Sequence, residues 1–251
     1  MTETPKRERP RHTATVIGTT WLTPTIVRVV FTASGDFEGV FADSYVKLLF
    51  GDAMRAYTVR SVIGEEVSID FVVHGDEGLA GPWAANASVG DVLEYVGPGG
   101  EWSPRADADC HLFIGDESAL PAIASGLERL LLVNPGAKAL VFAEIGRAGE
   151  EYPLATRGGV EVSWIVRDGA PYGEKLVDAV LAAGYPQGDV EGFVHGNAEM
   201  VRPLRRYLLR DQGLAREHLS ISGYWRSGMT DEGWRASKRA FNAAMEAEAP
   251  T

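Results

Sequence analysis

At 251 residues, 45% of them apolar and 24% charged, the chain has the composition of a globular protein of one large domain or two small ones. A formal net charge of -11 sets most of its surface against nucleic acid and anionic membrane, and no apolar run is long enough to span a bilayer. The single cysteine, Cys110, excludes an intramolecular disulfide and any cysteine-clustered metal or iron–sulfur site. The charged, proline-containing start TETPKRERPRH is not that of a secretory signal, so a cytoplasmic location is the expectation. Its basic stretch, residues 6–12, reads as a solvated arm.

The first hundred residues alternate polar and apolar side chains in short runs rich in Val, Ile, Thr, Phe and Tyr. Strands are predicted over 13–21, 25–32, 45–50, 55–63, 67–74 and 92–96. Six short strands separated by turns predict a closed antiparallel β-barrel. One small-residue segment, 78–85, breaks the alternation and suits a helical turn. After Gly97-Pro-Gly-Gly100 the period changes. A compact apolar strand, 111–115, precedes leucines and isoleucines at helical spacing from Leu120 to Leu131. Strands over 139–145 and 160–166, a helix over 174–183, a strand over 192–195, a helix over 198–210 and a strand over 219–223 complete the pattern. This alternation predicts an α/β domain built on a parallel sheet. The expected domains are therefore a β-barrel over 12–105 and an α/β nucleotide-binding-like domain over 106–235. Residues 1–11 and 236–251 are assigned to a flexible arm and tail, the latter with the composition of a short helix.

Several chemistries are missing. The five histidines form no helical pair that would hold zinc, and neither a nucleophile elbow nor a phosphate-binding Walker loop is present. The adjacent glutamates 65–66 and 150–151 read as solvated turns. A chain without a nucleophile or a metal site fits one in which a bound cofactor carries the reaction.

The segment Arg55-Ala-Tyr-Thr-Val-Arg60 is the first candidate for such binding. On a strand, Arg55 and Tyr57 share one face while Thr58 and Arg60 share the other. A guanidinium fork suits phosphate, and a phenol ring suits a conjugated system, although exposed strands also carry such residues without function. Downstream, His74-Gly-Asp-Glu-Gly-Leu-Ala-Gly-Pro-Trp-Ala84 offers glycines that permit close backbone approach, and amides at the start of a helical turn that favour an anion. Trp83 taken alone reads equally well as core.

These segments, followed by Gly115-Asp-Glu-Ser-Ala-Leu-Pro-Ala-Ile123 and later by Gly223-Tyr-Trp-Arg-Ser-Gly228, resemble in order the siderophore-interacting proteins. These are FAD-dependent ferric-siderophore reductases of the ferredoxin-reductase-like superfamily. The resemblance implies an FAD-binding barrel followed by a nicotinamide-binding α/β domain. It implies non-covalent FAD held by Arg55, Tyr57, Thr58 and Arg60, by His74, Gly78, Ala80, Gly81, Trp83 and Ala84, and by Asp116, Ser118 and Ala119. Tyr57 would lie on the ring system, Thr58 beside its reactive edge and Arg55 near phosphate. For Asp116 and Ser118, capping of the following helix is the competing role.

Glu144, Trp164, Arg167 and Asn197 are the residues the resemblance assigns to the nicotinamide nucleotide. Asn197 stands where the family usually has glutamate, which removes a negative charge there. Pro203 is unexpected inside its helix, because it lacks a backbone donor. The implied substrate is a ferric siderophore, often anionic, met by Lys47 with Arg105 and Arg226. NADH, NADPH or reduced ferredoxin is the implied electron donor. The absence of cysteines after Cys110 excludes the iron–sulfur subfamily. A siderophore- or flavin-binding protein without turnover, and a general flavin reductase acting on other small acceptors, are the alternatives.

Overall fold

A computed structural model of the chain describes residues 10–74 and 78–247, and it divides into two compact units, Met1–Glu101 and Trp102–Thr251. The division falls a few residues before the expected 105/106 boundary.

The first unit is one antiparallel sheet of seven strands, in the order β4-β3-β7-β1-β2-β6-β5. Its strands are β1 (Arg11–Thr23), β2 (Ile26–Ala33), β3 (Tyr45–Phe50), β4 (Ala53–Thr58), β5 (Ser61–Ile63), β6 (Glu66–Val72) and β7 (Val92–Gly99), with a short helix α1 (Ala80–Asn86) after β6. The sheet rolls around a core of Val16, Val29, Phe31, Val46, Leu48, Ile69 and Phe71 without closing. The expected closed six-stranded barrel is corrected on this point. The run predicted as one strand over 55–63 is two, broken at Val59-Arg60. There the amide of Val59 donates to Ser44 O beside β3, and the next amide, of Arg60, donates to Ser68 O in β6. The chain thus steps from one end of the sheet to the other, and β4 and β5 become its two end strands. A half-buried polar pair lies across the sheet: Arg28 grips Asp70 with two bonds of 2.7 and 2.8 Å, at a register position where β2 faces β6.

The second unit is a parallel sheet of five strands, ordered β10-β9-β8-β11-β12. They are β8 (Cys110–Gly115), β9 (Lys138–Ile145), β10 (Gly159–Val166), β11 (Val190–Asn197) and β12 (Leu219–Trp225). Helices α2 (Leu120–Val133), α3 (Glu174–Ala183) and α4 (Ala198–Arg206) connect β8 to β9, β10 to β11 and β11 to β12, and α5 (Asp231–Ala247) follows β12. β8 and β11 are buried along their whole length, as central parallel strands are. The chain leaves β8 toward β10 and then returns to β11. The strand order therefore reverses between β8 and β11, where open α/β sheets characteristically place ligands at the carboxyl ends of their strands.

The helix predicted over 198–210 is α-helical only to Arg206 and continues as a π-helical turn, Tyr207–Asp211. Pro203 lies within α4, where its missing N–H leaves the carbonyl of Glu199 without its helical donor. Most of the segment expected as a tail belongs to α5, whose Trp234 and Met245 are buried. The expected N-terminal arm lies outside the described residues apart from its last two, the second of which begins β1.

Candidate functional site

In the first unit the register of β4 on β3 sets the orientation of the candidate residues. Arg55 pairs with Leu48 and Tyr57 with Val46, so both share the core-facing side with two buried aliphatic residues. Because β4 is an end strand, their side chains remain only half-buried. The Tyr57 ring centroid is 4.4 Å from that of Phe71, and Phe71 in turn lies 5.9 Å from Trp83 of α1. Trp83 also stacks on Phe31 at 6.2 Å and meets Phe50 edge-on at 5.8 Å. Both readings of Trp83 thus meet in one residue, half-buried and packed against the rim of the core. Lys47 and Thr58 lie on the opposite face, as the partners of Ala56 and Tyr45 respectively.

Arg60 does not share a pleat with Thr58. It stands in the crossing between β4 and β5, buried, with its amide committed to β6. His74 is exposed beyond the end of β6, and residues 75–77 lie outside the described residues. Gly78 takes φ +83°, and α1 begins immediately afterwards with Ala80 buried. The N-cap of α1, Leu79, has no side-chain oxygen to satisfy the first amides. Gly81 packs so closely on β6 that a Cβ would approach Val72 O to 3.1 Å, and Ala84 is buried beneath it.

In the second unit two groups of candidate polar residues lie at the carboxyl ends of the strands. Asp116, just past β8, is buried, and its carboxylate accepts four hydrogen bonds. Oδ1 takes Ser118 N at 3.0 Å and Ser118 Oγ at 2.5 Å; Oδ2 takes Asn197 N at 2.8 Å and Trp225 Nε1 at 2.9 Å. One side chain thereby ties the ends of β8, β11 and β12. Burial, helped by the neighbouring Glu117 charge, pushes its carboxyl up to about 6 even though these donors act in the opposite direction. The strand reversal at β8 and β11 is occupied by this knot. Gly196 there has φ +131°, and a Cβ on it would fall 2.6 Å from Asp116 Oδ1. Gly196→Ala is expected to cost about 2 kcal/mol or more from backbone strain alone, read as a lowered urea-unfolding midpoint.

A second knot joins β9 and β10. Arg167 donates to Glu117 at 2.9 Å and to Glu144 at 3.1 Å, and its guanidinium lies 3.8 Å over the ring centroid of Tyr172. Glu144 is fully buried and accepts the amide of Gly173 on both oxygens at 3.1 and 3.0 Å. Burial raises its carboxyl above the usual range, while Gly173 and Arg167 lower it. Tyr172 meets Trp225 edge-on at 4.6 Å, which links the two knots.

These contacts give several residues partners within the protein. The Asp116 carboxylate accepts from four protein donors, the half-buried Ser118 donates its hydroxyl to it, and Ala119 is fully buried at the start of α2. Glu144 and Asn197 are likewise buried and bonded within the protein. Asn197 is fully buried, caps α4 by accepting Glu199 N at 2.8 Å, and donates to Ser227 Oγ at 3.1 Å. An asparagine in place of glutamate is accounted for by this cap. Arg105 is corrected most. It lies at the amino ends of β8 and β11, bonded to Asp189 at 2.8 Å, at the edge of the sheet opposite Asp116. Trp164 is half-buried on the end strand β10, and Arg226 is half-exposed just past β12, 2.9 Å from Glu199.

A family model described as the siderophore-interacting FAD-binding domain matches residues 51–102, and one described as the siderophore-interacting protein matches residues 108–228. An uncharacterized protein of Mycobacterium tuberculosis is 38% identical over 285 aligned residues, covering 97% of this chain and 99% of its own. The ferric vibriobactin reductase of Vibrio cholerae is 34% identical over 188 residues, covering 73% of this chain and 68% of its own. The chain belongs to the siderophore-interacting protein family. A solved siderophore utilization protein from T. fusca superimposes with a TM-score of 0.79 at 31% identity, covering 88% of this chain and 95% of that one. As a siderophore-interacting protein, the chain carries its FAD-binding domain on the unit that holds Arg55, Tyr57, Thr58 and Trp83. Sequence reasoning missed Glu117, Tyr172 and Trp225 as members of the site. Arg167, directly after a predicted strand of the parallel sheet, gave the usable signal, since a guanidinium placed at a strand's carboxyl end needs counter-charges close by.

Proposed function

We propose that the chain is an FAD-dependent ferric-siderophore reductase of the cytoplasm, taking electrons from NADH, NADPH or reduced ferredoxin and releasing iron as Fe(II). The observation that carries this reading is the half-buried Arg55–Tyr57 face beside the uncapped start of α1, inside the segment that matches the FAD-binding family. These groups fit a flavin dinucleotide. Arg55 offers a cation to phosphate, the α1 amides have no side-chain cap, and the ring of Tyr57 is already held by Phe71. When bound, FAD supplies the means to accept a hydride and to pass electrons singly to iron. The protein's residues position and shield it: Tyr57 and Thr58 would border the ring, while Gly78 at positive φ would let the chain approach closely. Gly81 and Ala84 would serve by seating α1 closely on β6, His74 and Trp83 would shape the pocket, and Arg60 would support the strand from the crossing behind it.

For an anionic ferric chelate, Lys47 on β3 is proposed as a cation on the first unit, and Arg226 past β12 is proposed in its own right on the second. Trp164 and Arg167 are proposed to act at the donor side, Arg167 through Tyr172. Iron(II) is a weaker partner than iron(III) for hard oxygen donors, so reduction loosens the complex.

The test is direct. Purified protein should show flavin bands near about 370 and about 450 nm, and they should bleach anaerobically with its donor. Flavin-loaded protein mixed with donor, a ferric catecholate and a ferrous trap should then outpace free FAD; failure to do so refutes the reductase reading. Arg55→Ala is expected to weaken FAD binding by about 10- to 100-fold, the equivalent of one charge-assisted hydrogen bond, measured by fluorescence titration. Unchanged affinity would remove Arg55 from the phosphate site.

A further inference from the structure

We infer that Asp116 is a positioning residue for the turn 225–227, and that taking up one proton loosens its hold on Arg226. The inference rests on the proposed reductase reading, which makes Arg226 a contact of the anionic chelate. Three side-chain bonds pin this turn: Trp225 Nε1 donates to Asp116, Asn197 Nδ2 donates to Ser227 Oγ, and Arg226 Nε donates to Glu199. Two of them lead to Asp116, since it also holds the amide of Asn197. Glu199, the third partner, lies in the first turn of the helix that Asn197 caps. The carboxylate of Asp116 therefore governs where the only charged side chain of this turn, the half-exposed Arg226, is presented.

The chemistry of the four donors decides what a proton does. Asn197 N and Trp225 Nε1 can only donate, so Oδ2 cannot carry a proton toward either of them. Ser118 Oγ can turn and accept, so the proton settles on Oδ1. Both bonds to Oδ2 then lose their charge assistance, roughly half their strength. The charged and titratable groups around Asp116 are Glu117 beside it, Tyr172 against Trp225, and behind them Arg167 and Glu144. Burial and Glu117 together bring this protonation to about pH 6. The turn is thus firmly held above that pH and loosened below it.

The experiment compares wild type with Asp116→Ala, Asp116→Asn, Trp225→Phe and the double variant Asp116→Ala/Trp225→Phe. The flavin-loaded proteins reduce the ferric tris-complex of 2,3-dihydroxybenzoate, an anionic probe. Asp116→Ala and Trp225→Phe should each raise KM about fivefold or more while kcat falls by a smaller factor, and the double variant should go little beyond the larger single effect. The wild-type KM should rise from about pH 7.5 to about pH 5.5, whereas Asp116→Asn, which keeps an acceptor for Trp225 but cannot titrate, should show a flat profile. KM values within about twofold of wild type in both single variants, or a sloping Asp116→Asn profile, would overturn the inference.

A substrate-free measurement separates it from the reductase reading. The tryptophan emission lost in Trp225→Phe should titrate near pH 6 in wild type and not in Asp116→Asn. If no donor supports iron reduction, the reductase reading fails and this titration alone judges Asp116, a flat wild-type curve refuting its role. Should Asp116→Ala not fold, the Asp116→Asn profile and Trp225→Phe decide the question.

Discussion

Replacing Arg167 with methionine is expected to destabilise the α/β unit by about 3–5 kcal/mol at neutral pH, the usual cost of stranding buried charge. The Arg167 side chain is 11% exposed, and its two partners, Glu117 and Glu144, are 6% and 0% exposed. Methionine keeps much of the volume but removes the cation, leaving two carboxylates with reduced access to water. Glu144 retains the amide of Gly173, so the greater loss falls on Glu117. Tyr172 also loses the guanidinium over its ring, about 0.5–1 kcal/mol more. Adding Glu117→Gln to the methionine variant should restore part of the loss, since a neutral amide needs no counter-charge. Urea unfolding measures both. A loss below about 1 kcal/mol would mean that the pair behaves as a screened surface contact.

The pH dependence of stability is expected to hide two opposed slopes. His195 is buried between Tyr224 Oη and Ser220 Oγ, each 2.9 Å away, and stacks on Phe193 at 3.8 Å. Burial, with Lys238 nearby, pushes its ring down to about 3 from 6.5. Below pH 6.5 the unfolded chain takes a proton that the folded chain refuses, so stability is lost as pH falls, by about 1.4 kcal/mol per pH unit. Asp116 acts the other way. Its folded carboxyl at about 6 lies above the ordinary 3.8, so the folded chain takes the proton first. That contribution is complete below 3.8 and is lost as pH rises through 6, with a slope of the same size.

Across about pH 4 to 6 the two nearly cancel. Asp116→Asn should therefore lose stability steeply on acidification, while His195→Gln should gain it. Urea midpoints at several pH values would show the divergence. Single variants that both track the wild-type slope would contradict the burial of these two groups.

Much of the architecture was legible in the sequence because periodicity reports burial directly. β8 reads as an apolar strand since both its faces are covered, and α2 reads as a helix from the spacing of its leucines and isoleucines, although its first two turns are buried all round. The break at Val59-Arg60 was not legible, because alternation continues through it. Only the pairing of successive amides with Ser44 and Ser68, distant in sequence, separates β4 from β5. The motif Arg55-Ala-Tyr-Thr locates the cofactor strand by residue type. The roles of Asp116, Glu144 and Asn197 depend on which donors surround them, and those donors come from other strands. Arg105 looked equivalent to Arg226 for the same reason: a lone arginine does not disclose which edge of a sheet it occupies.

The helix α5 bears on how the chain folds as it is made. Every strand of the parallel sheet has been synthesised by Trp225, yet the core beneath it still lacks Met245, and Arg205 still lacks the Met245 carbonyl it bonds at 2.6 Å. Trp234, which closes over Gly223, is missing as well. The seven-stranded unit, whose residues precede Trp102, can complete its own core during translation, in the usual amino-to-carboxyl order. The α/β unit must wait, with part of its interior exposed, until α5 leaves the ribosome.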